Sequence, residues 1–108
     1  SDGPEQPAIF GYQKGEPIKA GSIQRLNCVC HGGNPLCQLK WYKNDVEVKE
    51  GSTMTVNGNQ VTNELMVITR DSDNNAIYKC SAYNSAIDIP LNTSIQLNVY
   101  CKLINIFI

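Results

Sequence analysis

Three cysteines and the sole histidine fall within ten residues, as Cys28, Cys30, His31 and Cys37, just ahead of the only tryptophan, Trp41. Sulfur and imidazole gathered this closely raise three kinds of chemistry: a metal site, a redox centre, or part of a disulfide framework. Zinc is poorly served. Its common knuckles space thiolates as Cys-x2-Cys, and neither Cys28 with Cys30 nor Cys30 with Cys37 does so. No metal and no other cofactor is expected. His31 has no nucleophile elbow and no evident acid or nucleophile partner, so it reads as a loop residue and the chain as a non-enzyme. Asp71 and Asp73 share a turn-rich stretch, where paired carboxylates are usually solvated or capping. Asn92-Thr93-Ser94 is the only Asn-x-Ser/Thr sequon, which makes Asn92 a glycosylation candidate in a secreted chain.

The elements that must position these residues are short strands. The chain has 108 residues, enough for one domain with a real core. Its formal net charge is -1, and no basic patch with interleaved aromatics points to a nucleic-acid partner. The longest apolar run, "LINIFI", is too short to span a bilayer, so no direct membrane insertion is expected. No signal peptide is visible, and the opening "SDGPEQP" reads as the edge of a domain cut from something longer. Residues 1–7 are expected as linker, 8–100 as the domain and 101–108 as an apolar tail.

Between these ends, "IYKCSAY" alternates cleanly, and "LNTSIQLNVY" places Ile95, Leu97 and Val99 on one face. "SIQRLNCVC" is expected to turn Ile23, Leu26, Cys28 and Cys30 inward, with a slip after Ile23. "HGGNP" is dense turn chemistry, Asn57-Gly58 signals a hairpin, and "RDSDNNA" allows one helical turn. No window carries a helical period of useful length. Seven to nine strands with a turn signal every eight to twelve residues predict an all-β antiparallel sandwich.

The spacings add a finer signal. Cys28 lies thirteen residues before Trp41, Cys80 thirty-nine after it, and Tyr78 two before Cys80; Leu65 lies thirteen before Tyr78. This resembles the immunoglobulin fold, a two-sheet Greek-key sandwich, here of I-set or C2-like type. The resemblance implies a Cys28–Cys80 bridge between the sheets, with Trp41, Tyr78 and Leu65 as core markers. Cys30 sits one step from "HGG", at the strand's end, and is the weaker choice for the bridge. Cys30 and Cys37 then either staple the intervening loop as a second disulfide or stay separate thiols. With an odd cysteine count, at least one of the five lacks an intramolecular partner.

"GGNPLCQLKWYKND" and "CSAYNSA" further resemble internal domains of nephrin-type immunoglobulin adhesion receptors. One departure is Asn74, which stands where that pattern has an aspartate and cannot supply an ion pair at the base of the sandwich. The resemblance implies an extracellular, protein-binding or spacing module of a cell-surface or secreted protein, contacting adjacent immunoglobulin domains or other cell-surface immunoglobulin receptors. An intracellular muscle-type structural module and a soluble ligand-binding receptor fragment are the alternatives. If the domain binds, alternation around Trp41 and Cys80 nominates Lys40, Tyr42, Lys79, Ser81 and Tyr83 as the outward face.

Overall fold

A computed structural model describes residues 3–101; the apolar tail from 102 onward lies outside the described residues. Ten strands follow in chain order: β1 (Ala8–Phe10), β2 (Pro17–Lys19), β3 (Ile23–His31), β4 (Gln38–Lys43), β5 (Val46–Val48), β6 (Ser52–Asn57), β7 (Gln60–Ile68), β8 (Ile77–Tyr83), β9 (Leu91–Gln96) and β10 (Asn98–Tyr100). A single 3-10 turn, Asp71–Asp73, joins β7 to β8. One antiparallel sheet runs β1-β3-β7-β6 and the other β5-β4-β8-β9, while β10 pairs in parallel with β2. The chain crosses between sheets after β3, β5 and β7, which makes the Greek key implied by the immunoglobulin resemblance.

The count exceeds the expected seven to nine because "LNTSIQLNVY" divides into β9 and β10 and a short β2 follows β1 at the N-terminal edge. At the N-terminal edge Gly11 has φ +100°, and a Cβ there would stand 2.5 Å from the Arg25 carbonyl oxygen. Glycine alone lets the chain turn so close to β3 and leave that sheet as β2. At the other end Leu97 leaves β9 and exchanges backbone hydrogen bonds with Asn75 and Ala76. The Tyr12 hydroxyl then accepts from the Asn98 amide and donates to the Glu16 carbonyl, tying the two ends together.

The core lies between the sheets. Cys28 and Cys80 are bonded, with Cα atoms 6.4 Å apart across the sandwich, and both are fully buried. Trp41 stands directly opposite Cys80 in the β4–β8 ladder, and Leu26 opposite Leu65 in the β3–β7 ladder. All four side chains are at most 1 % exposed. A buried amide shares this interior. Asn63, on the inner face of β7, accepts the Trp41 indole N–H on its carbonyl, takes the Ser52 hydroxyl on Oδ1, and donates Nδ2 to the Leu39 carbonyl. Each polar atom there is paired, as a buried amide requires. A second bond joins Cys30 to Cys37, both buried, across the turn that contains the cis Asn34–Pro35 peptide. Cys101 is exposed and free.

One expectation changes. Ile23 is 60 % exposed and faces outward opposite Ile68. The β3–β7 register is unbroken from Ile23 to His31, so period-two alternation from Cys28 carries every odd position to the outer face. The hairpin signalled by Asn57-Gly58 joins β6 to β7, with Gly58-Asn59 as its loop, since Asn57 still pairs with Gln60. Residues 4–7 are docked, with Pro4 and Pro7 buried and the Pro7 carbonyl accepting the Thr93 hydroxyl at 2.6 Å.

The base of the sandwich does carry an ion pair, from the neighbouring residue. The nearly buried Asp73 carboxylate receives Lys43 Nζ on Oδ1 and the Arg70 backbone amide on Oδ2. Asn74 instead spends its Oδ1 on the Val99 amide, pinning β10. Lys43 also lies over the Tyr78 ring, 5.9 Å from its centroid.

The hydrogen bond that Lys43 donates to Asp73 is the main cause that raises the Lys43 pKa, and burial, with Asp73 next, raises that of Tyr78. Both groups therefore keep their protons to higher pH folded than unfolded. The stability they contribute is complete below the ordinary values of about 10 for tyrosine and lysine, and is lost as pH rises through the raised ones. The melting temperature is expected to fall steeply above about pH 10. A Lys43→Met, Tyr78→Phe double variant is expected to fall more gently, and an identical alkaline slope in the two proteins would refute this origin.

Candidate interaction face

The outer surface of the β5-β4-β8-β9 sheet follows from what its strands bury. Leu39 and Trp41 point inward on β4, so Lys40 and Tyr42 point out. Tyr78, Cys80 and Ala82 point inward on β8, so Lys79, Ser81 and Tyr83 point out. On β9 the exposed residues are Asn92, Ser94 and Gln96. The registers place these side chains in cross-strand rows: Lys40, Ser81 and Asn92 in one, Tyr42, Lys79 and Ser94 in the next.

Lysine and tyrosine interlock within this grid. Lys79 Nζ lies 5.0 Å from the Tyr42 ring centroid, its direct cross-strand partner, and Lys40 Nζ lies 5.4 Å from the Tyr83 ring, its diagonal one. Ammonium groups over ring faces at this distance are held by the ring quadrupole. Asp45 Oδ1, in the β4–β5 turn, takes Lys79 Nζ at 3.2 Å. The Tyr83 hydroxyl, with Glu47 adding, raises the Lys40 pKa above its ordinary value, so Lys40 is charged throughout the physiological range. The result is a patch of two aromatic rings and two cations in mutual contact, with Tyr42 and Tyr83 half-buried.

Ser81 does not belong to that patch as an accessible contact. It occupies an outward position but is only 6 % exposed, and its hydroxyl is spent on Asn92 Oδ1. Alternation gave its direction; the covering neighbours on β4 and β9 gave its burial. Asp45 and Glu47 join the face although the sequence reading passed over them. Their signal was the short hairpin after "WYKN", which fixes β5 beside β4. His31 is exposed at the far end of β3, where its Nε2 meets Gln60 Oε1 at 2.9 Å. With Cys28 and Cys30 each bonded elsewhere, the opening cluster leaves no neighbouring thiol beside that ring.

The disulfide-bridged sandwich with Trp41 beside Cys80 has a counterpart among known families. The family model for the immunoglobulin I-set domain matches residues 9–99. The chain belongs to the immunoglobulin I-set family. Among curated relatives, human nephrin is 33 % identical over 85 residues, covering 68 % of this chain and 7 % of nephrin. Human cell adhesion molecule 2 is 36 % identical over 47 residues, 44 % of this chain and 10 % of that protein. The chain thus spans about a tenth or less of the length of these relatives.

Among solved structures, the mouse nectin-like molecule 4 ectodomain superposes with a TM-score of 0.74 at 25 % identity, covering 92 % of this chain and 35 % of that one. The Rst D1-D2 structure gives 0.80 at 18 % identity, covering 90 % and 49 %. The I67-I69 fragment of titin gives 0.61 at 21 %, covering 90 % and 33 %. The last two carry the fold alone, so function must come from the site.

Proposed function

We propose that this I-set domain is an extracellular module of a cell-adhesion receptor, and that the outer face of β4, β8 and β9 binds another immunoglobulin domain. The single observation carrying the binding face is the interlocked pair of lysine–tyrosine contacts at its centre, Tyr42 with Lys79 and Tyr83 with Lys40. Tyrosines are favoured interface anchors because they present large area with few torsions to freeze. Here lysines already restrain the rings, so less entropy is lost on binding. The relatedness to nephrin and to cell adhesion molecule 2 supports the adhesion reading, and the Cys28–Cys80 bridge supports an oxidising compartment.

The test displays the chain on cells that do not otherwise cluster and scores aggregation. Replacing both rings, Tyr42→Ala with Tyr83→Ala, is expected to weaken association at least about tenfold, the effect of losing even one modest hot spot. Full aggregation by a folded double variant would remove the face from consideration. A second reading is a structural module in a reducing compartment, since titin shares the fold. Chain mass from its native source before and after reduction separates the two: unbridged cysteines there favour the structural module.

A further inference from the structure

The sequon and the proposed binding face arise from separate features of the sequence, yet the fold superimposes them. Asn92 stands directly opposite Ser81 in the β8–β9 ladder, and Ser81 directly opposite Lys40 in the β4–β8 ladder. Asn92 is exposed on the outer surface, one strand from the patch and two from Lys40. Its diagonal neighbours on β8 are Lys79 and Tyr83, at the usual diagonal separation of about 7–8 Å. Both belong to the two lysine–tyrosine contacts that define the face.

The local chemistry suits modification. Asn92 Oδ1 is engaged by the Ser81 hydroxyl, and the Asn92 backbone carbonyl by Gln6 Nε2. Among the described residues no hydrogen bond uses Nδ2, the atom that carries an N-linked sugar. Ser94, the hydroxyl residue of the sequon, is likewise exposed on the same side of β9.

We propose that an N-linked glycan at Asn92 shields this face, so that binding through it requires an unoccupied sequon. This rests on the reading of the face as a binding surface. The donor is a lipid-diphosphate-linked oligosaccharide. A bond forms between Asn92 Nδ2 and the anomeric carbon of the first sugar. The carbon–oxygen bond to the lipid diphosphate breaks, its electron pair leaves on the phosphate oxygen, and Nδ2 gives up one proton. The glycan is bulky and hydrated, and its root lies diagonally across from Lys79 and Tyr83, two strands from Lys40. A partner approaching the two rings would have to displace it.

The experiment secretes the 108-residue chain from an animal-cell line, alongside a Ser94→Ala variant that loses the sequon but keeps the Asn92–Ser81 contact. Intact mass before and after peptide N-glycosidase establishes occupancy. Oxidative and amine-reactive footprinting then reads solvent access at Tyr42, Tyr83, Lys40 and Lys79. The expected result is glycan on the parent chain, none on the variant, and labelling of Tyr83 and Lys79 that rises severalfold when the sugar is absent. Enzymatic removal of the glycan from the folded parent gives the same comparison without a substitution. A secreted parent chain with no glycan overturns the proposal, as does an occupied Asn92 with unchanged labelling. Cell aggregation serves as a separate arm. Labelling that rises without any aggregation by the unglycosylated chain upholds the shielding and sinks the adhesive reading.

Discussion

Replacing Cys28 and Cys80 together by alanine is expected to lower the unfolding free energy by about 4 kcal/mol, the entropic value of a bridge closing a loop of this length. The bonded residues are 52 apart in sequence and join the centres of the two sheets. Cross-linking removes the most extended unfolded conformations, so its loss stabilises the unfolded chain more than it disturbs the folded one. Both sulfurs are fully buried, so the alanine pair adds a small cavity cost. For a domain whose total stability is about 5–15 kcal/mol, this is a large share. Urea unfolding by tryptophan fluorescence measures it, since Trp41 is the sole indole. A midpoint shift worth less than about 1 kcal/mol would show that the packed sandwich, and not the covalent tie, sets the stability. The Cys30–Cys37 bridge closes a far shorter loop, with a separation of 7, and the same model gives it less.

Trp41→Ala is expected to cost a further large amount, about 3–5 kcal/mol, the range for deleting a buried aromatic. Two losses combine. The indole is 1 % exposed and fills the space beside Cys80, and its N–H serves the Asn63 carbonyl at 3.1 Å. Trp41→Phe separates them, because it retains most of the volume and removes the donor; its cost is expected near 1–3 kcal/mol, the penalty for an orphaned buried acceptor plus a smaller void. Equal costs for the two substitutions would assign the whole effect to the hydrogen bond. Trp41 and Cys80 are neighbours, so a triple variant lacking the bridge and the indole should fall short of the sum of the separate losses. Circular dichroism melts on all four proteins supply the comparison.

These effects concern the scaffold, and the proposed binding face depends on the same residues at one remove. Trp41 and Cys80 point inward, and that alone turns Lys40, Tyr42, Lys79 and Tyr83 outward. Substitutions on the outer surface are therefore expected to leave stability nearly unchanged while altering association, which makes the Tyr42 and Tyr83 variants usable probes.

The strand pattern was legible because alternation is local. Leu26, Cys28, Leu39, Trp41, Tyr78 and Cys80 report their inward direction through the residues on either side, without reference to the rest of the chain. Turn residues such as Gly32, Gly33 and Gly58, all at positive φ, mark strand ends in the same local way. From these signals an all-β sandwich follows, and the spacing of Cys28, Trp41, Tyr78 and Cys80 narrows it to the immunoglobulin fold.

What alternation could not supply is which strand lies beside which, and at what register. Only tertiary pairing brings Asp73 to Lys43, so that the ion pair absent at Asn74 reappears one residue earlier. Only it joins Cys30 to Cys37 at a Cα separation of 6.7 Å. Ser81 pointed outward by sequence, yet Asn92 covers it because β9 pairs with β8 in one register and no other. The same register sets Asn92 diagonally across from Lys79 and Tyr83. Direction is a property of a residue and its neighbours in sequence; adjacency across strands is fixed when the two sheets close on one core, and the proposed function of this domain lies in that adjacency.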